Sequence, residues 1–533
     1  MSALFRPTAR RWLRAGVALG ATGVVLLAAL PAEAGDDQTN NTSSKLRAAV
    51  TPQGVAEHLK ALDAIASANG GTRASGTPGF TASRDYVVGV LEKAGYRPQV
   101  QEFEFPFFRE LAPAQLSQLS PQAKTYANPD DFTAMTYSGS GTAEGQVVAV
   151  DTDLTPVTTT PSTSGCEASD FDGFPAGAIA LIQRGSCTFG TKALNAEQHG
   201  AVGVVIFNSG APGATGSFAG TLGAPDVTVP VVGASFAMGP ELAGTTSRLV
   251  TSTESEFRTT WNVTAETAKG DPNNVVMAGA HLDSVVPGPG INDNGSGSAT
   301  ILEVAEQMAK TTPMNKVRFA WWGAEELGLL GSEHYVDSLP ADDLKALALY
   351  LNFDMIGSPN YVRFVYDGNN SRYPVGPGAA EGPAGSGAIE QLFHNYFGSQ
   401  SLASEETPFS GRSDYGPFIA EGVPAGGLFT GAEGVKTEAQ ALTYGGQAGV
   451  AYDACYHKAC DGIGNVNMTA VDEMSDAVAH AVLTYAMSTK TVNGSMKGHP
   501  VSAPDQEETG SPTGSGTQSG GGLHDDHDEL LSS

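Results

Sequence analysis

Six acidic or imidazole side chains stand where apolar runs of the sequence end. They are His281 and Asp283 in AGAHLDS, Asp293 in GINDNGSGS, Glu325 and Glu326 in WWGAEELG, and Asp354 in LNFDMIG. Sites in parallel sheets form at the carboxyl ends of the strands. A single aspartate at a strand end more often caps a helix. However, five carboxylates and one imidazole can converge only if a positive charge lies among them.

Divalent metal ions supply such a charge. The candidate ligands are imidazole and carboxylate without thiolate, which favours Zn²⁺, with Mn²⁺ or Co²⁺ as substitutes. One zinc ion needs three or four protein ligands, so the surplus of carboxylates predicts two ions ~3.5–4 Å apart that share a bridging carboxylate. Asp283 follows His281 by two residues, and we expect it behind the imidazole, where it would accept the second ring N–H and fix the tautomer.

The adjacent glutamates Glu325 and Glu326 allow a division of roles. Neighbouring side chains on extended backbone point in different directions. One glutamate can therefore bind metal while the other faces a water molecule that the metal activates. A carboxylate in that second position is the general base of a hydrolase.

Strands alternate with helices around these residues. Examples are the strand KVRFAWWGAEE, the helix GSGSATILEVAEQMAK and the final helix AVDEMSDAVAHAVLTYAM. This alternation predicts an α/β fold with a mixed, mostly parallel sheet flanked by helices. Two helices at 51–71 and 81–96, and the strand after them, complete the same domain.

A stretch of different composition interrupts that domain. Between 132 and 249, short β-like runs are separated by Gly, Ser, Thr and Pro, and one helix is predicted. This β-rich insert contains no cluster of His, Asp or Glu that could form a site. We therefore assign 132–249 to the insert and 51–131 with 250–490 to the α/β domain.

The N-terminus predicts export. A basic start, an apolar run at 15–30 and the small-x-small pattern at 32–34 indicate a signal peptide over 1–34. The apolar run is short for a membrane anchor, which needs ~20 residues. The pair Arg10 and Arg11 leaves the export route open.

Two polar segments flank the predicted domains. Residues 35–50 are predicted to be flexible or a short pro-segment, and 491–533 a disordered acidic tail. His524 and His527 in this tail could chelate metal weakly, but its composition favours a solvated tail.

Composition narrows the class of protein. The 533 residues carry a net charge of −28, which argues against nucleic acid and anionic membranes as partners. A hydrophobic content of 41% with 16% charged residues is typical of a globular protein. We expect a soluble, extracellular protein that does not associate with membranes after signal cleavage.

Four cysteines suggest disulfides in an oxidising compartment. Four cysteines allow three pairings, and proximity in sequence favours Cys166–Cys187 and Cys455–Cys460. A zinc site made of four cysteines would need paired short spacings, which Cys166 and Cys187 do not provide.

The motifs also occur in the order of a known family. GAHLDS, GINDNGSGSATILEVA, WWGAEELGLLGSEHYV, LNFDMIGSPN and CYHKACD resemble the secreted bacterial aminopeptidases of the M28 family of co-catalytic zinc peptidases. The resemblance covers about 51–118 and 251–487, and the insert resembles a protease-associated (PA) domain. It implies a zinc-exopeptidase fold of the phosphorylase/hydrolase-like type and hydrolysis of the N-terminal peptide bond, with a preference for large hydrophobic residues such as leucine.

The resemblance also implies roles for individual residues. Glu325 would be the general base, and Tyr456 would polarise the scissile carbonyl and stabilise the oxyanion. A bridge between Cys455 and Cys460 would fix the loop that carries His457. The five implied ligands of two zinc ions are His281 and Asp354 for one, Glu326 and His457 for the other, and Asp293 shared between them.

The resemblance extends to the substrate pocket and to calcium. Gly411 and Arg412 in SGRSDYGPF and Phe429 in GGLFTGAEG would line the pocket. Some members bind calcium between acids of the last helix and an acid near the N-terminus. Asp472 and Asp476 match the helix pair, but the upstream stretch RAAVTP contains no acid, which speaks against calcium here.

Two other function classes stay open. A co-catalytic zinc carboxypeptidase or dipeptidase of the same fold would need a cationic pocket, for which Arg412 is the candidate near a motif. A non-enzymatic binding protein of this fold would have lost metal ligands, whereas all the implied ligands are present. The favoured partners are peptides and proteins with a free N-terminus, acted on by a monomer.

Overall fold

The computed structural model describes residues 39–152, 154–157, 161–376 and 381–494. The predicted signal peptide (1–34) and residues 495–533 of the predicted acidic tail lie outside these ranges. The start predicted for that tail, at 491, is too early, because Lys490–Asn493 forms a short helix in which Val492 and Asn493 are buried. Within them, no helix is both long enough and apolar enough to cross a membrane.

Helices and strands alternate along most of the described chain. The helices are α1 Ser43–Ala49, α2 Pro52–Ala68, α3 Pro78–Lys93, α4 Phe189–Gln198, α5 Met238–Leu242, α6 Gly295–Met308, α7 Leu330–Ser338, α8 Ala341–Ala346, α9 Ser386–Ser399, α10 Gly416–Ala420, α11 Glu438–Tyr444, α12 Met468–Met487 and α13 Lys490–Asn493. The strands are β1 Gln99–Ser120, β2 Lys124–Thr125, β3 Phe132–Ala134, β4 Gly141–Ala149, β5 Ile179–Gln183, β6 Gly203–Phe207, β7 Val231–Ala234, β8 Thr246–Glu266, β9 Asp271–His281, β10 Asn315–Trp322, β11 Leu347–Phe353, β12 Phe364–Tyr366, β13 Glu405–Thr407 and β14 Ala425–Phe429.

The strands pair in the order β13-β12-β14-β11-β9-β10-β8, and β8 leads on to β4-β5-β6-β7-β3. Strands β10, β9, β11 and β14 are parallel to one another, while β8 pairs antiparallel with β10 and β12 pairs antiparallel with β14. The predicted α/β fold with a mixed, mostly parallel sheet is confirmed.

Strand β9 shows why the central strands read as continuous apolar runs. Val276 and Ala278 belong to the core that the sheet forms with α2, α3, α6 and α12. Val275 and Met277 belong to a second core, on the side of α7, α8 and α10. Alternate residues of a strand point to opposite faces, so a strand covered on both faces is apolar throughout.

The insert repeats this architecture on a smaller scale. Strands β4, β5, β6 and β7 are parallel, and α4 connects β5 to β6. The disulfide Cys166–Cys187 lies in this region. Strand β8 pairs with β4 over 246–251 and with β10 over 263–266. The boundary predicted at 249–250 therefore falls inside one strand, and the domain boundaries remain predictions.

Residues 43–50 correct one expectation. Within this part of the predicted flexible segment, Ser43–Ala49 forms α1, and the Thr42 hydroxyl caps it by accepting the Lys45 N–H at 3.3 Å. Leu46 and Val50 are buried in the core that includes α12. Burying two apolar side chains stabilises a helix that the polar local sequence did not predict, because tertiary packing overrides local propensity.

Candidate active site

Three strand ends bring the first group of predicted residues together. His281 is the last residue of β9, and Asp354 directly follows β11. His281 Nε2 lies 3.3 Å from Asp354 Oδ1 and 3.3 Å from Asp293 Oδ1, just before α6. Glu325 begins a short 3-10 helix after β10, and its Oε2 is 3.8 Å from the same nitrogen.

A distant loop adds a second imidazole. His457 lies between Cys455 and Cys460, which form a disulfide. His457 Nε2 is 3.2 Å from Asp293 Oδ2 and 3.0 Å from Glu326 Oε2. Asp293 therefore faces His281 with one carboxylate oxygen and His457 with the other.

Asp283 lies behind His281, although not in the predicted contact. His281 Nδ1 is 3.2 Å from the main-chain carbonyl of Asp283 and 3.6 Å from its carboxylate Oδ1. That Oδ1 accepts the main-chain N–H of Glu325 at 3.2 Å. Asp283 thus touches both the imidazole and the turn that carries the paired glutamates.

The backbone takes unusual conformations beside these side chains. Ala324, Met355 and His457 have φ angles of 56°, 49° and 56°. A left-handed conformation at a residue other than glycine costs on the order of 1–3 kcal/mol and concentrates at functional sites. Hydrogen bonds hold two of them, because the Ala324 N–H donates to Ser75 Oγ at 2.7 Å and the Met355 N–H to Asn294 Oδ1 at 3.2 Å.

Burial and crowding perturb the acids and bases of this cluster. Burial raises the pKa of Glu326 to about 7, with a further contribution from the charge of Asp293. Burial also raises the pKa of Glu325 well above its ordinary value. Burial would lower the pKa of His457, but its hydrogen bonds to Asp293 and Glu326 outweigh this and raise it to about 11. Negative charge is therefore in excess at this point of the molecule.

The donor set fits a divalent cation. Glu326 Oε1 is buried and has no hydrogen-bond partner among the described residues, a situation that is costly for a carboxylate unless a cation binds it. Within the described ranges, the ligand atoms of His281, Asp293 and Glu326 lie within 4.8 Å of one another, as do those of His281, Glu325 and Asp354. Imidazole and carboxylate donors are typical of zinc.

Two predicted pocket residues belong to a loop that borders the cluster. Gly411 adopts a φ of 83°, and Arg412 is exposed. Ser413, which the sequence analysis did not single out, donates its hydroxyl to Asp354 Oδ2 at 2.6 Å and accepts from Asn352 Nδ2 at 2.9 Å. The only sequence signal for Ser413 is its place in the motif SGRSDYGPF.

Two aromatic side chains complete the predicted set. Phe429 ends β14 and stacks on Phe364, with 6.2 Å between ring centroids. Tyr456 stacks on His457 at 3.8 Å, and its phenol lies within electrostatic range of Asp293 and Glu326. Both burial and these carboxylates raise the pKa of Tyr456, so its hydroxyl stays a hydrogen-bond donor.

The predicted calcium pair lies elsewhere, on α12. Arg47 Nη1 of α1 contacts Asp476 Oδ2 at 3.1 Å. A guanidinium therefore already supplies positive charge to Asp476. Asp472 and Asp476 are not among the metal-binding clusters found in the described part of the chain.

The cluster and the insert have close counterparts in known proteins. Residues 262–482 match peptidase family M28, and 143–242 match the PA domain. An aminopeptidase of Pseudomonas aeruginosa is 50% identical over 450 residues, which cover 82% of each chain. The chain belongs to peptidase family M28. Both predicted resemblances, to M28 aminopeptidases and to a PA domain, are confirmed.

Two further similar proteins are also aminopeptidases. Leucine aminopeptidase 2 of Trichophyton equinum is 50% identical over 336 residues, covering 61% of this chain and 66% of the fungal one. The solved aminopeptidase from Aneurinibacillus sp. strain AM-1 is 26% identical, with a TM-score of 0.57, and the match covers 87% of this chain and 99% of that one. The chain is thus an enzyme, a peptidase, and its family implies zinc as the metal.

Proposed function

We propose that this M28 peptidase is a secreted aminopeptidase that uses two zinc ions to hydrolyse N-terminal peptide bonds. The observation that carries the proposal is the position of Asp293, whose two carboxylate oxygens face His281 and His457 at 3.3 and 3.2 Å. A carboxylate that lies between two imidazoles could serve as a ligand to each of two ions.

The proposed ligands divide into two groups around Asp293. Zinc, when bound, supplies a Lewis acid that polarises a carbonyl group and makes water more acidic. The remaining chemistry belongs to the side chains of this protein. The proposed ligands are His281 and Asp354 for one ion, Glu326 and His457 for the other, and Asp293 for both.

Glu325 is the proposed general base. Unlike Glu326, it does not contact His457, and Asp283 holds its main-chain N–H at 3.2 Å. Its carboxylate would accept a proton from the attacking water and return it to the leaving amine. Tyr456 would donate its hydroxyl to the carbonyl oxygen as negative charge develops there.

The same carboxylates explain selectivity for the chain terminus. The protonated α-amino group of a peptide is cationic, and Glu325 and Asp354 provide negative charge beside the reaction centre. A preference for large hydrophobic residues is supported by the aromatic pair Phe364 and Phe429 and by the leucine aminopeptidase relative. We assign Gly411 and Arg412 to the rim of the same pocket.

A substrate panel tests this proposal. Leucine p-nitroanilide should be hydrolysed faster than the glycine or glutamate analogues, and N-acetyl-leucine p-nitroanilide should not be hydrolysed. Metal analysis of the same preparation should find two zinc ions per chain. Equal rates with and without the acetyl group would contradict the aminopeptidase assignment. Release of C-terminal residues instead would indicate a carboxypeptidase that uses Arg412.

Secretion and the monomeric state belong to the same proposal. The predicted signal peptide and the disulfides Cys166–Cys187 and Cys455–Cys460 support an oxidising, extracellular location. Expression with the native N-terminus should release into the medium a protein that begins near residue 35. Light scattering should give the mass of one chain. Calcium should not raise the melting temperature, because Arg47 already contacts Asp476.

A further inference from the structure

The segment 282–293, which joins His281 to Asp293, is held from two sides by opposite charges. Arg73, which is fully buried, donates to the main-chain carbonyls of Leu282, Pro289 and Gly290. The end of the segment nearest Asp293 is held differently, through its N–H groups. A cation thus binds the carbonyls of the segment, and an anion binds its amides.

That anion is Asp461, which directly follows the disulfide loop carrying His457. Asp461 Oδ1 accepts the N–H of Asn292 at 2.9 Å, and Oδ2 accepts the N–H of Asp293 at 3.0 Å. Its main-chain carbonyl accepts the N–H of Ile291 at 2.9 Å. One residue therefore binds three consecutive backbone amides, the last of which belongs to the residue that faces both imidazoles.

The two loops meet closely beyond Asp461. A Cβ atom added at Gly288 would lie 2.3 Å from the carbonyl oxygen of Lys458, so only glycine fits there. Asn292 donates its side-chain amide to Asp453 Oδ2 at 2.6 Å, just before the disulfide loop. Asn465 Nδ2 closes the network by donating to Asp461 and to both oxygens of Asp453, each at 3.0 Å.

We infer that Asp461 is a positioning residue that sets the distance between Asp293 and His457, and so the affinity for the ion between them. The inference rests on the proposed two-zinc site. Asp461 itself does not touch substrate or metal in this scheme. Because groups that orient metal ligands typically change metal affinity about 10–100-fold, we expect a measurable and selective effect on zinc.

The test compares two buried aspartates that both accept backbone N–H groups. Asp461→Asn replaces one acceptor oxygen with an NH₂ group that faces a main-chain N–H. The matched control is Asp367→Asn, since Asp367 is equally buried and accepts the N–H groups of Ser371, Arg372 and Tyr373 at 2.7–3.0 Å in a loop without a proposed ligand. Zinc affinities are measured by competition with a chromophoric chelator, alongside melting temperatures.

In Asp461→Asn, we expect the zinc that His457 and Glu326 would hold to bind about 10–100-fold more weakly, and the other zinc, which would share Asp293, to lose less affinity. The value of kcat should recover at saturating zinc, because the general base Glu325 is unchanged. Asp367→Asn should lower the melting temperature without weakening zinc. Wild-type zinc affinities in Asp461→Asn, or an equal loss in Asp367→Asn, would overturn the inference.

Two further outcomes are also decisive. If Asp461→Asn does not fold, Asn465→Ala removes only the supporting hydrogen bonds and should weaken the same zinc by a smaller factor. An unchanged affinity there contradicts the inference. If wild type binds a single zinc, the two-ion proposal fails, and Asp461 is then judged by whether its variant weakens that one ion more than the Asp367 variant does.

Discussion

The parallel strands of the peptidase sheet and those of the PA-domain sheet end in different kinds of side chain. In the PA domain, β5 ends at Gln183, and Asn208 follows β6; both are buried and neutral. Gln183 donates to the carbonyls of Thr155 and Ser209 at 2.8 and 3.3 Å and accepts from Thr152. The side-chain amides of Gln183 and Asn208 therefore bind loops of the PA domain itself.

The corresponding positions of the peptidase sheet carry charge. His281 ends β9, the paired glutamates follow β10, and Asp354 follows β11. Glu326 retains a buried oxygen without a hydrogen-bond partner in the described chain. Parallel strands thus bring polar side chains together in both regions. Only in the peptidase sheet do the charges leave one another unsatisfied, and this arrangement needs a bound ligand.

Of all the changes considered, removal of the metal should cause the largest loss of peptidase activity. A chelator such as 1,10-phenanthroline should abolish peptidase activity, and added zinc should restore it. The melting temperature should fall as well, because a ligand that binds only the folded state stabilises it. Full activity after removal of all metal, verified by mass spectrometry, would contradict the assignment of this sheet edge as a metal centre.

Replacement of the proposed base comes next. Glu325→Gln should lower kcat by on the order of 10²–10⁴-fold, the usual contribution of general base catalysis, with zinc content unchanged. Glu326→Gln should instead weaken zinc. Steady-state kinetics with metal analysis of both variants check the division of roles, and the opposite pattern would show that the two glutamates exchange roles.

A substitution at the end of β5 in the PA domain should lower the stability of the protein without changing its activity. Gln183→Leu leaves the carbonyls of Thr155 and Ser209 without their donor, so the free energy of unfolding should fall by about 1–3 kcal/mol. Urea denaturation measures this loss. The kcat for leucine p-nitroanilide should match wild type, and a large fall in kcat would mean that the PA domain contributes to catalysis.

Another cluster of a histidine and carboxylates, formed by His58, Glu303 and Glu306, allows a test of whether these residue types alone make a metal site. His58 Nε2 lies 3.1 Å from Glu306 and 3.6 Å from Glu303, and Nδ1 lies 2.7 Å from Tyr86 OH. Burial would lower the pKa of His58, but the two glutamates outweigh it and raise the pKa. Here imidazolium and carboxylates satisfy one another, so His58→Gln should leave zinc content and kcat unchanged.

The stability of that variant should depend on pH. Because the pKa of His58 is higher in the folded state than the ~6.5 of an unfolded chain, its contribution is fully present below pH ~6.5 and lost as pH rises through the folded value. We expect His58→Gln to cost about 1 kcal/mol at pH 5.5 and less at pH 9. A cost that is the same at both pH values would contradict this protonation.

Much of the candidate site was predictable because the end of each central strand is marked in the sequence by a polar residue after an apolar run. Apolar runs stop at His281, Glu325 and Asp354, and a parallel sheet gathers such ends at one edge. His457 follows no strand and belongs to a disulfide loop. No periodic pattern marks it, so only the family resemblance pointed to it.

Supporting residues were harder to predict for a related reason. Arg73 and Asp461 bind main-chain atoms, and such contacts depend on how two loops meet rather than on any spacing along the chain. Helix α1 was missed because its polar sequence is outweighed by the burial of Leu46 and Val50. Local sequence therefore predicted the regular elements and their ends, whereas the loop contacts required the fold.

Strand β8 attaches the PA domain to the peptidase domain, because it pairs with strands of both. Its 21 residues, up to about 70 Å at the rise of an extended strand, hydrogen-bond with β1 and belong to both sheets. Opposite the middle of β8, at Glu256 and Arg258, Phe105 and Phe107 of β1 pack with Ala324, next to the proposed base. The PA domain is thus joined to the peptidase domain by a long pair of hydrogen-bonded strands, whose register shifts between Glu110 and Gln115 and which also packs behind the turn that carries Glu325.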